Sequence, residues 1–259
     1  MPAAAAWEQP WLAPWRQLGE RVEGRMAAGA PMHAALDAAG PAPVRFVAQE
    51  SLPPGTPYEQ FIFETRQCPV RPGLHDFFNG LVWLQFPAAK SALNRLQAQE
   101  IARQGIGGRR GAVRDAITVF DENGALLQAP PQLWEALLAR EWRRLFVDLR
   151  PLWGGARLWI FGHALLEQLA IAPRKPLTAH VWRGDAALDS GAAADAWLAA
   201  HCTAPALAAK PFTPLPVLGV PGWWPANENF SFYDDSLVFR PRKTPEPRTT
   251  TTSADPRRP

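Results

Sequence analysis

Residues 74–86, LHDFFNGLVWLQF, constrain the fold more than any other stretch of the chain. On a helical wheel, Leu74, Phe77, Phe78, Leu81 and Leu84 share one side, and the apolar surface continues through Val82, Trp83 and Phe86. A helix that is apolar nearly all round belongs in the interior. This one also carries His75 and Asn79 at i and i+4, on the same stripe. A buried polar group without a partner costs about 1–3 kcal/mol, so both need another side chain, water or a ligand. We therefore expect them inside the protein or at the wall of a cleft. The structural alternative for His75 is a core histidine bonded to a backbone carbonyl. Asp76, in the first turn, either complements the helix dipole or orients the histidine beside it.

Around this helix the pattern is mixed. Residues 13–38 read as helical with a break near Gly29 and Pro31, and VRFVAQ (44–49) reads as a strand. YEQFIFET (58–65) fits strand or helix equally. Pro87 interrupts the apolar helix, a second helix follows over 88–104, and Gly105 stops it. RDAITVF (114–120) is rich in β-branched residues and is predicted as a strand, with Asn123–Gly124 as a hairpin turn before ALLQ. Helix is expected over 131–148, strand at ARLWIF (156–161), helix at HALLEQLA, strand at LTAHVW (177–182) and helix over 192–201. The segment 203–243 is rich in Pro and aromatics and should drape over the core. No internal repeat is present. Strands without regular βαβ alternation among more numerous helices predict an α+β fold. It is a helix-rich single domain with a modest mixed or antiparallel sheet and a Pro/Trp-rich C-terminal wrap. The expected division is an N-terminal helical segment (1–43), a core domain (44–243) and a disordered tail (244–259) without apolar content.

Composition narrows the function. The net charge of +3 comes from the end of the chain: Arg240, Arg242, Lys243, Arg248, Arg257 and Arg258 face only Glu246 and Asp255 there. That segment is +4 and the remainder −1, so a basic pI gives no nucleic-acid face on the folded part. Cys68 and Cys202 fit no metal or disulfide framework, and a reducing, cytoplasmic setting is the simpler reading. The first residues lack the pattern of a signal peptide, and no apolar run reaches the ~20 residues of a membrane span.

The candidate site is polar residues in apolar surroundings. Lys90, Asn94 and Gln97 fall at i, i+4 and i+7 on the second helix, a stripe that is either a solvated face or a row of donors. GIGGRRGAVRD (105–115) places Arg110 and Arg114 beside glycine-rich backbone that can cradle an anion, although it lacks the phosphate-loop lysine, and a plain flexible loop is the competing reading. Asp115 can orient a histidine or hold an arginine; Asp121, beside Glu122–Asn123–Gly124, reads as part of the turn. His163, after Gly162 at a strand-to-helix turn, sits where a helix N-terminus disfavours imidazolium, as suits a general base or metal ligand. His180 can line the same sheet end. His33, His75–Asp76 and Asp115 imitate the ligand order of the helical HD phosphohydrolases, but strand signals around Asp115 oppose an all-helical site.

FVAQESLPPGTPYEQFI, RPGLHDFFNGLVWLQFPAAKSALN, GAVRDAITVFDENG, FGHALLE, LTAHV and LGVPGWWPANENFSFYDDSLVFRPRK, in this order, resemble the bacterial family named Domain of Unknown Function 3025, over about residues 44–243. The resemblance implies one family unit over most of the chain and no activity. The chain departs from the family pattern at Val70 and Gly73; with glycine in place of a capping side chain, the helix start is less fixed. Two functions compete. One is a hydrolase-like enzyme acting on a small anionic ligand. His75 and His163 would serve as base or metal ligands, Asp76 or Asp115 as orienting groups. Arg71, Lys90, Arg110 and Arg114 would hold the anion, and Asn79 and Asn94 would orient it. No serine or cysteine stands in a nucleophile motif, so hydrolysis by activated water is expected over covalent catalysis, and if a metal serves, His and carboxylate ligands favour zinc or manganese. The other is a non-catalytic binding or scaffold protein using the aromatic, Pro-rich segment 211–239 and the basic tail, with Trp223 and Trp224 stacking on a base or sugar or simply packing.

Overall fold

The structure, a computed structural model, describes residues 7–105 and 111–242. The N-terminal part holds α1 (Arg16–Ala27) and α2 (Met32–Asp37), separated near Gly29 as expected. The strand β1 (Arg45–Ala48) is followed by α3 (Tyr58–Thr65) and β2 (Gln67–Val70), which pairs parallel with β1. YEQFIFET is thus a helix; Phe61 and Ile62 bury one face of it.

At the centre lies α4 (Leu74–Gln85), with Phe77, Phe78, Leu81 and Val82 fully enclosed. Its start is not loose. Asp76 Oδ2 accepts from the Arg71 backbone N–H at 2.7 Å, tying the preceding chain to the first turn in place of a cap at Gly73. Phe86 breaks the helix, and Pro87, at the first helical position, opens α5 (Pro87–Gln104). The free N–H groups of Ala88 and Ala89 donate to Asp195, a carboxylate supplied by another helix.

The stretch 114–120 is not a strand. It lies in α6 (Ala112–Asn123), and Asn123–Gly124 is no hairpin but the join between that helix and β3 (Gly124–Gln128). Ala116, Ile117 and Phe120 recur at helical spacing and face the core, which outweighs the β-propensity of Ile117, Thr118 and Val119. Next come α7 (Pro131–Ala139), ended by Arg140 in the left-handed conformation, and a wide helical turn over Arg144–Asp148, so the helix expected over 131–148 is two pieces. Then follow β4 (Arg157–Ile160), α8 (His163–Ile171), β5 (Thr178–Arg183), α9 (Gly191–His201), α10 (Ala204–Ala208) and β6 (Thr213–Pro216). The strand order is β4-β3-β5-β6, antiparallel except for the parallel β3–β5 pair. The fold is α+β, with two small sheets among helices.

Aromatics close the structure. Phe120 stacks on Phe161 and Phe212, and Trp182 meets both Phe120 and Phe212 edge-on. Trp7 packs on Phe77 and Phe78, while Trp11 meets Trp223 and Trp224 of the C-terminal wrap. Arg150 holds the wrap through Tyr233 and Asn227. Among the described residues no helix is long and apolar enough to cross a membrane.

One backbone approach positions the later site. A Cβ on Gly162 would lie 2.5 Å from the Glu122 carbonyl oxygen and from the Asn123 Cα, and the Phe161 and Gly162 N–H groups both donate to the Gly124 carbonyl. Only a residue without a side chain lets α8 start against the end of α6. Gly162→Ala must push main chain apart, so a loss of about 1–3 kcal/mol is expected. Urea unfolding measures it; an unchanged midpoint would show that this junction has slack.

Candidate functional site

Two adjoining cavities open beside α4, of about 290 and 200 Å³, and both are lined by Glu59, Asp121 and Glu122. The larger also takes in His75, Asn79 and His163. The smaller takes in Trp83, Lys90, Asn94 and Gln97. The polar stripe of α5 is therefore no solvated face: Lys90, Asn94 and Gln97 are all buried.

The two histidines meet. His75 Nε2 and His163 Nε2 lie 3.1 Å apart with the rings edge to face. On the far side of its ring, His75 Nδ1 lies 3.1 Å from Glu167 Oε2. An ionised carboxylate only accepts, so the His75 nitrogen facing Glu167, Nδ1, carries a proton, and in the neutral ring Nε2 is then the lone-pair nitrogen toward His163. His163 is almost fully enclosed, at 4% exposure, and its Nδ1 has no hydrogen bond of ordinary geometry; Asp121 Oδ2 is 3.7 Å away. Glu122 Oε2 lies 3.7 Å from His163 Nε2. Among the described residues, His75, Glu122 and His163 form the one group able to hold a metal ion, with one ligand atom from each within 4.8 Å of the others.

A buried network fixes these groups. Lys90 Nζ donates to Asp121 Oδ1 at 2.6 Å and to Asn79 Oδ1 at 2.9 Å, and lies 5.3 Å from the centre of the Trp83 ring. Asn79 Nδ2 donates to the Tyr58 hydroxyl, which in turn contacts Cys68 Sγ and the Pro69 carbonyl. Asn94 Nδ2 donates to both the backbone carbonyl and the Oε2 of Glu59, each at 2.8 Å. Burial pushes the Tyr58 hydroxyl well above its usual range and the Cys68 thiol up to about 12, so neither is a nucleophile here. Burial also raises Glu59 and Glu122, the latter further through Asp121 beside it. It pushes Asp121 upward too, but Lys90, His163 and His75 outweigh it and hold that carboxyl below the usual range.

Other expected residues lie elsewhere. Asp76 holds Arg71 through Arg71 Nε and Nη2, so the pair braces the cavity rim and Asp76 does not orient His75. Asp115 pairs with Lys210 on the surface, far from a catalytic role, because α6 turns it away from Asp121. Arg114 is buried and reaches the Gly105 carbonyl, and Arg110 lies outside the described residues. His180 sits half-buried on β5 opposite Gly124 and lines neither cavity. The HD ligand order fails on position: Asp115 is helical after all, but it faces Lys210, and His33 lines a separate hollow with Asp37 and Arg45. Asp121 and Glu122, read as a turn, are central, and Glu59 and Glu167 were not singled out. Lys90 on an internal helix was the available signal that a buried carboxylate had to stand opposite it.

Residues 44–243 match the family described as "Protein of unknown function (DUF3025)". The chain belongs to this family. No curated protein and no solved structure matches it. The DUF3025 match spans every side chain of the site, from Glu59 to Glu167.

Burial pushes His163 down to about 4, with Asp121 opposing and Lys90 and His75 adding to the fall. The unfolded chain takes up this proton near pH 6.5 and the folded one only near 4, so the stability it contributes is present above 6.5 and lost as pH falls through that window. The difference amounts to roughly 3 kcal/mol. Urea midpoints between pH 7 and 4 should fall steeply for the wild type and less for His163→Leu; parallel slopes would show that another group drives the acid loss.

Proposed function

We propose that this DUF3025 protein is a metal-dependent hydrolase. His75, His163 and Glu122 would hold one divalent cation, and the ion when bound would supply a lowered water pKa and Lewis acidity. The observation that carries the reading is the facing pair of Nε2 atoms at 3.1 Å. If the His163 proton sits on Nε2, the buried Nδ1 lone pair faces the Asp121 carboxylate. If it sits on Nδ1, toward Asp121, two lone pairs face each other and call for a cation between them. Two nitrogens bound to one zinc ion at ~2.1 Å lie about 3.0–3.4 Å apart, which this spacing matches.

The chain's other residues have definite tasks. Glu167 fixes the His75 tautomer and ring orientation, while Asp121, itself held by Lys90, stands 3.7 Å from His163 Nδ1 as a nearby charge, beyond hydrogen-bond distance. Neutral imidazoles are the ligand form, and burial keeps His163 neutral at physiological pH. Zinc and manganese both suit two imidazoles and a carboxylate. With Glu59, Asp76, Asp121, Glu122 and Glu167 around Lys90 and Arg71, the cleft favours a neutral or cationic substrate over the anion expected from the arginines. Trp223 and Trp224, the stacking candidates of the binding or scaffold reading, are half-buried and pack against Trp11.

Calorimetric titration of metal-free protein with Zn²⁺ or Mn²⁺ should give one ion per chain. His75→Ala with His163→Ala should abolish it, and Glu167→Gln should weaken it by about 10–100-fold. His75→Leu should change metal-free stability by less than about 1 kcal/mol, since its side chain is 41% exposed and Glu167 keeps access to water. Hydrolysis of a panel of amides and esters should vanish with a chelator and return with the metal. Full metal uptake by the double variant, or none by the wild type, would refute the centre.

A further inference from the structure

The smaller cavity has a task of its own. Glu59 stands at the junction of the two cavities, and both hydrogens of the Asn94 amide hold it, one on its main chain and one on its carboxylate. Among the described residues Glu59 has no ion-pair partner; Lys90 lines the same cavity but directs its ammonium to Asp121 and Asn79. Gln97, 8% exposed, lines the cavity too, and its Oε1 is buried without a hydrogen-bond partner. Trp83, Leu93 and Ile117 supply apolar walls. The cavity thus offers a rigid carboxylate, one oxygen of which is held by Asn94 and which has no counter-charge among the described residues, and a spare amide oxygen, beside apolar walls.

We infer that this cavity is a substrate subsite for a cationic nitrogen group of the amidinium, guanidinium or ammonium class, with Glu59 as its recognition carboxylate and Gln97 as a second acceptor. An amidinium presents N–H donors in the plane that a carboxylate accepts, and the apolar walls cover the carbon frame that carries it. The inference rests on the hydrolase reading only in calling the bound molecule a substrate. Through its shared lining of Glu59, Asp121 and Glu122, the subsite would place a bond next to the cationic group beside the histidine pair.

Benzamidine and benzoate are matched probes, alike in ring and opposite in charge. Calorimetry on the full chain without metal, at pH 8, should show benzamidine binding at millimolar concentration or better and benzoate at least tenfold weaker. Glu59→Gln should weaken benzamidine at least tenfold while Zn²⁺ uptake stays within about threefold. If Glu59→Gln does not fold, Gln97→Leu serves as the second variant, with a loss of at least threefold expected. Equal binding of the two probes, no benzamidine binding, or unchanged affinity in the folded variant would overturn the subsite. Benzamidine binding in a protein that takes up no metal would refute the hydrolase reading and leave the subsite standing.

Discussion

The ion pair between Lys90 and Asp121 is the contact on which the rest of the site depends. Both groups are inside the protein, one on α5 and the other at the end of α6. Bringing two charges out of water is expensive, and the pair recovers that cost only with good geometry and further hydrogen bonds. Here the extra bonds come from Asn79 on α4, and the Trp83 ring covers the ammonium. Losing either partner would leave a lone buried charge, a penalty of about 3–5 kcal/mol. The pair therefore fixes three helices against one another, and with them the side chains they carry: His75 on α4 and Glu122 on α6.

The fourth helix arrives through packing. Gly162 lets the start of α8 touch the main chain at the end of α6, which brings His163 against Asp121 and Glu122, and Phe161 behind it stacks on Phe120. Both histidines, Glu122 and the Lys90–Asp121 pair project from helices, and the helices rest on an aromatic core with little freedom to shift. Such a base can hold two imidazole nitrogens at contact distance. A loop could not do so without additional bonds of its own.

Much of this could be read in the residues. The run from Leu74 to Phe86 announced a buried helix, and its His75 and Asn79 announced polar partners; the partners are Glu167, His163, Lys90 and Tyr58. Gly162 before His163 is where main chain approaches too closely for any side chain. The stretch around Asp115 misled because β-branched residues and Asn123–Gly124 imitate a hairpin, while the burial of Ala116, Ile117 and Phe120 is a tertiary fact. That one error moved the acidic group: on a strand Asp115 and Asp121 share a face, whereas on a helix six residues place them on different sides, with Asp115 at Lys210 and Asp121 at Lys90. Glu59 and Glu167 carried no sequence signal, because each acquires its meaning from a partner 35 or 92 positions away.

The charge pattern decides what such a site can recruit. An anion-binding cleft needs donors left over after internal pairing, yet Lys90 is taken by Asp121 and Asn79, and Arg71 by Asp76. The surplus among the described residues is of acceptors: an imidazole nitrogen facing the histidine pair, Glu122 beside it, and Glu59 held in place without a counter-ion. In a low-dielectric interior an acceptor surplus is as costly as an unpaired donor, and neutralising the carboxylates by protonation removes only part of it. Cations satisfy it fully, a divalent metal ion among the histidines and a larger, donor-bearing one against Glu59. On this argument the metal reading and the cationic subsite answer one electrostatic demand at two neighbouring places.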